Sequence, residues 1–159
     1  EIHFNGEAVQ FIHVPNGHSD GDVMVFFRKS DVLVAGDVFN TNTFPVIDME
    51  EGGSLNGVVK SLNQILDITV PEDKQEGGTY VIPGHGRLTD EADVVEYRDM
   101  MTIIRDRVQN AIDKGMTLEQ VKAARLVRDY EGRYGAARGA ATADGFVEAA
   151  YRSLKTSSK

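Results

Sequence analysis

Three residues of this 159-residue chain carry cation-binding side chains in closely similar settings: His18, Asp37 and His85. Each adjoins a glycine, in Gly17-His18, Gly36-Asp37 and Gly84-His85-Gly86, and each follows a short apolar run. A glycine lets the backbone turn sharply, so the neighbouring side chain projects from the end of a strand. Loops at strand ends, held by a rigid sheet, are where binding and catalytic groups concentrate. Imidazole and carboxylate are ligands for zinc, and also for iron or manganese. Taken alone, the same residues also read as three unrelated turn positions.

The elements that must position them follow from periodicity. Residues 8–14, 23–27, 32–35 and 79–82 are apolar or alternating runs that predict strands. Residues 15–22 hold Pro, Asn-Gly and Asp-Gly, each a turn former for its own steric reason. Ser54 predicts an N-cap, with Val58, Leu62, Ile65 and Leu66 repeating at helical spacing behind it. Thr89 or Asp90 predicts the cap of a long helix whose apolar stripe is Val94, Tyr97, Met101, Ile104, Val108 and Ala111, stopped at Gly115. Thr117 and Gln120 form a capping box, which predicts a helix over 118–129. Residues 130–145 show no firm pattern. Phe146, Ala150 and Leu154 mark a last helix, and residues 155–159 read as a fraying tail. Strands and one helix come first and helices follow, which predicts an α/β or α+β layered fold.

Composition narrows the partners. Lys plus Arg against Asp plus Glu, 17 − 25, gives a net charge of −8, with no prominent basic patch. Nucleic-acid binding is therefore not expected. No apolar run is long enough to span a bilayer, so no membrane association is expected. Cysteine is absent, which excludes disulfides and thiolate metal sites. The chain opens Glu1-Ile2-His3-Phe4-Asn5-Gly6, without Met and without a signal-like segment. That opening reads as the interior of a longer protein, so the compartment is left open.

Gly-His-Ser-Asp-Gly-Asp at 17–22, Ala-Gly-Asp at 35–37 and Pro-Gly-His-Gly at 83–86 together resemble the last three metal motifs of the metallo-β-lactamase fold superfamily. They occur in that family's order, each after a predicted strand, and the resemblance covers roughly residues 8–112. It implies the C-terminal half of an αββα sandwich: one mixed sheet with outer helices over residues 1–115, and a helical extension over 116–159 packed on the same domain. It also implies a binuclear site, zinc before iron or manganese. There His18 completes a three-histidine set for one metal, Asp37 bridges the two and serves catalysis, and His85 binds the second. Such metals lower the pKa of a water and polarise the oxygen of the bond to be cleaved. Asp20 and Asp22 would shape the turn after His18 or orient a metal histidine from behind.

The chain also departs from the family. The family's remaining ligands lie in a His-x-His-x-Asp-His motif, and the only other histidines here are His3 and His13. His13 reads as a packed or hydrogen-bonded residue of its strand and His3 as a surface residue. Zinc wants three or four ligands per ion. The expectation is a fragment of a metal-dependent hydrolase that, alone, binds metal weakly or not at all and hydrolyses nothing efficiently. The alternative is a non-catalytic half-domain that serves as a structural or dimerisation module. Asp at 37 in place of Cys argues against the thiolate zinc lactamases, and Gly-His-Gly differs from the Gly-His-Glu of hydroxyacylglutathione hydrolases. A small-molecule thioester, lactone, amide or phosphoester remains open as substrate. Asn40, Asn42 and Phe44 read either as ordinary loop or as lining for such a substrate. One sheet without its partner would expose an apolar face along 23–27 and 32–35, so a homodimer covering that face is expected.

Overall fold

The structure, a computed structural model, describes residues 1–157. Its five strands are β1 (Ile2–Phe4), β2 (Glu7–Val14), β3 (Asp22–Phe27), β4 (Val32–Asn40) and β5 (Tyr80–His85). They form one sheet in chain order. The first four run antiparallel as a meander. Asn5 and Gly6, both at positive φ, make the first reversal in two residues, the hairpin turn whose twist matches the strands. β5 runs parallel to β4, because the chain crosses over through α1 (Leu55–Ile68) before returning to the sheet. The fold is therefore α+β with a single mixed sheet.

The helices are α1, α2 (Glu91–Asp113), α3 (Leu118–Ala123), α4 (Arg128–Tyr134) and α5 (Ala143–Ser157). Ser54 caps α1 by accepting from the Gly57 N–H, and Asp90 caps α2 by accepting from the Asp93 N–H. Gly115, at φ +74°, follows the end of α2. Among the described residues no helix is long and apolar enough to cross a membrane.

Alternation sorts the sheet into two faces. Val14, Met24, Leu33, Ala35 and Val81 point one way and join α1, α2, α4 and α5 in a single buried cluster. The cluster includes Val121 and Val127, so the C-terminal helices share the core of the sheet. Its centre is aromatic. Phe44 stacks on Phe146 at 4.8 Å, while Tyr97 meets Phe39 at 5.3 Å and Tyr134 at 5.6 Å, both edge to face.

Three elements differ from the sequence reading. The helix expected over 118–129 is two helices, α3 and α4. Arg125 sits at φ +49° between them, and the break turns Val127 into the core while Arg107 Nη1 donates to the Leu126 carbonyl at 2.8 Å. α4 then runs to Tyr134, into a stretch that shows no pattern in sequence. β4 continues past residue 35 to Asn40, because Gly36 at φ +62° bulges the strand and pairing with β5 resumes beyond it. The tail is helical as far as Ser157, and residues 158 and 159 lie outside the described residues.

Candidate functional site

His18 stands in the loop between β2 and β3, and that loop is fixed by backbone packing against the start of α1. The Asn16 carbonyl accepts from the Ser54 N–H at 3.1 Å and from its hydroxyl at 3.2 Å. The His18 carbonyl accepts from the Asp48 N–H at 2.9 Å. Gly57 and Gly53 allow these approaches, since a Cβ at either would collide with the Asn16 or His18 carbonyl. The His18 ring is oriented as well. Its Nδ1 lies 2.8 Å from the Val46 carbonyl, an acceptor only, so Nδ1 carries the proton. Nε2 is then the nitrogen whose lone pair is available to a cation.

Asp22 accepts from the Ser19 N–H and from the Ser19 hydroxyl, both at 3.0 Å, and so closes the turn after His18. Asp20 donates its N–H to the Glu51 carbonyl at 2.7 Å, and its own carbonyl accepts from His13 Nε2 at 2.6 Å. His13 is thus a tie between β2 and the His18 loop. These bonds hold the loop, while the His18 ring itself is held by Val46.

Asp37 and His85 are brought together by the parallel pairing of β4 with β5. His85 is anchored twice by its backbone: its N–H donates to Asn40 Oδ1 and its carbonyl accepts from the Thr41 N–H, each at 3.1 Å. Gly84 lets the strands close at this point, since a Cβ there would collide with Asp37 Oδ1. The resulting distance from His85 Nε2 to Asp37 Oδ1 is 3.4 Å. Two ligands at about 2.1 Å from a tetrahedral zinc lie about 3.4 Å apart. The pair therefore has the types and the spacing of two neighbouring zinc ligands.

His18, Asp37 and His85 all line one cleft of about 300 Å³. Asn40, Asn42, Thr43 and Phe44 form another wall, and Val46 and Ala141 complete the lining. Thr43, Val46 and Ala141 carry no signal in the sequence, because they lie in segments without periodicity. Tyr97 supports this wall by donating to the Thr43 carbonyl at 3.0 Å. Burial pushes the Tyr97 hydroxyl well above the ordinary phenol range, with Tyr134 adding to the rise and a bond to Asn40 opposing it, so it remains a donor. A larger depression of about 920 Å³ lies elsewhere, among Lys122, Arg125 and Asp144, but two of its cations are engaged in ion pairs to Glu148 and Glu131.

The donors are fewer than a metal requires. Among the described residues no three His, Asp or Glu side chains are close enough together to enclose one ion. Asp37 and His85 form a pair, and His18 faces the same cleft from another loop.

No protein-family model and no curated protein matches the chain. Among solved structures, it is similar to the stereoselective inverting sec-alkylsulfatase Pisa1 from Pseudomonas sp., at 14% identity and a TM-score of 0.64, over 95% of this chain and 24% of that one. It is also similar to a metallo-β-lactamase from Pontibacter korlensis, at 13% identity and a TM-score of 0.45, over 64% of this chain and 44% of that one. The BLEG-1 B3 metallo-β-lactamase matches over the same shares at 26% identity and a TM-score of 0.49. The chain shares the fold of the matched part of that alkylsulfatase. It spans less than half the length of each of these structures. The cleft lies at the rim where β4 and β5 end beside the β2–β3 loop.

Proposed function

We propose that this chain supplies part of the active site of a metal-dependent hydrolase, with His18, Asp37 and His85 as its contribution. The observation that carries the reading is the convergence of two imidazoles and a carboxylate on one small cleft, two of them at ligand spacing. Likeness in fold to metallo-β-lactamases and to an alkylsulfatase supports the same class. Asp37 and His85 would hold one cation, and Asp37 with His18 would face a second. Zinc fits this donor set, with iron or manganese as alternatives, and such a cation would lower the pKa of water and polarise the bond to be cleaved.

The chain's own residues do the positioning. The Val46 carbonyl fixes the tautomer of His18, Asn40 and Thr41 fix the backbone of His85, and Gly84 admits the Asp37 carboxylate. Asn40, Asn42 and Thr43 offer hydrogen bonds to a small polar substrate, and Phe44 and Val46 keep that wall apolar. The donors that complete the metal shell come from outside this set of three, so the chain alone binds zinc weakly and hydrolyses poorly. Isothermal titration with zinc tests this. The expected result is a dissociation constant weaker than about 1 μM, with the heat lost in Asp37→Asn. Sub-micromolar affinity, or heat unchanged in that variant, contradicts it.

A further inference from the structure

Strand pairing alone does not place His85. Between the pairs Gly36 with Pro83 and Asn40 with His85, β4 advances four residues while β5 advances two. An unbroken parallel ladder would set Val38 opposite His85. Past the irregularity a side chain joins the pairing, where the His85 N–H donates to Asn40 Oδ1 at 3.1 Å. Asn40 is only 4% exposed, and a buried amide is costly unless both of its ends are bonded. The His85 N–H requires an acceptor, which fixes the amide oxygen on that side and turns Nδ2 the other way.

The partner on that other side is Tyr97 of α2. Its hydroxyl donates to the Thr43 carbonyl at 3.0 Å and bonds the Asn40 side chain, so its oxygen is left to accept from Asn40 Nδ2. The ring is 1% exposed and is gripped edge to face by Phe39 and Tyr134. A phenylalanine would make the same ring contacts without burying an oxygen. The hydroxyl is therefore accounted for by its two bonds, and both of its partners line the cleft.

We propose that Tyr97 is a positioning residue of the cleft: one hydroxyl, immobilised in the core, holds His85 through Asn40 and the neighbouring wall through Thr43, and so sets the separation between them. Tyr97 does not itself line the cleft and acts through these two residues. Its effect on zinc rests on the metal-dependent reading, whereas its hold on His85 does not.

Two NMR measurements on the 159-residue chain test this: hydrogen exchange of the His85 amide without metal, and the response of the His85 ring to zinc. Tyr97→Phe removes the hydroxyl alone. Val108→Ala, at a fully buried position of the same helix outside the cleft, destabilises the core without touching these bonds. In Tyr97→Phe the His85 amide should exchange roughly tenfold faster than in the wild type or in Val108→Ala. The ring should need roughly tenfold more zinc to shift in Tyr97→Phe, and no more than the wild type in Val108→Ala. Asn40→Ala should produce both effects with Tyr97 intact. Exchange that is unchanged in Tyr97→Phe, or matched in Val108→Ala, overturns the proposal, since the hydroxyl would then only stabilise the fold. So does an Asn40→Ala chain whose His85 amide exchanges as in the wild type, or a zinc demand unchanged in Tyr97→Phe when the wild type responds. A wild-type chain whose histidines ignore zinc defeats the metal reading, and the exchange rates then decide the positioning by themselves.

Discussion

The Asp37–His85 pair depends on one missing side chain. Gly84 has no Cβ, and the carboxylate of Asp37 occupies the space a Cβ would take, with the Gly36 carbonyl 2.8 Å from the same point. Backbone atoms on a bulged strand cannot move aside as the end of a flexible side chain can. Gly84→Ala should therefore destabilise the fold by about 1–3 kcal/mol, as over-packing does. It should also weaken the response of His85 to zinc. Urea denaturation with a parallel zinc titration measures both, and unchanged stability would show that the strands can separate there at little cost. The Tyr97 hydroxyl is a second residue-scale support. Tyr97→Phe leaves the Thr43 carbonyl without its donor, for an expected loss of about 1–3 kcal/mol in urea denaturation.

At the scale of elements, the helical extension is tied by the ion pair between Lys122 of α3 and Glu148 of α5, at 2.6 Å. The hydrogen bond from Lys122 holds the Glu148 carboxyl below the usual carboxylate range and raises the Lys122 ammonium above its own. A lowered acid contributes stability above its unfolded pKa and loses it as pH falls through the folded one. A raised base contributes below its unfolded pKa and loses it as pH rises through the folded one. The pair therefore acts across neutral pH and fails at both extremes. The stability difference between wild type and Glu148→Gln should be flat from about pH 6 to 9 and shrink below about pH 4, measured by urea denaturation. The elements that carry the site were legible because strands, caps and glycines mark them locally: residues 8–14 before His18, Ser54 before α1, Gly84 and Gly86 around His85. The break at Arg125 was not. Its cause is the burial of Val127 and the bond from Arg107, nineteen residues away, to Leu126. The cleft wall at Thr43, Val46 and Ala141 was hidden for the same reason, since long-range packing sets it and no period announces it.

For the whole molecule, one sheet has helices on one side, several exposed apolar side chains such as Phe4, Phe11 and Tyr80 on the other, and a partial donor set at its rim. The partial set is the reason the three residues alone are expected to bind metal weakly. The central claim is that His18, Asp37 and His85 serve one metal-binding cleft, with Asp37 shared between the two histidines. Imidazole NMR of the 159-residue chain during zinc titration addresses it most directly. The ring signals of His18 and His85 should both shift, and Asp37→Asn should weaken both shifts while His3 and His13 stay in place. Four histidines responding alike, or shifts of His18 and His85 unchanged in Asp37→Asn, would contradict it.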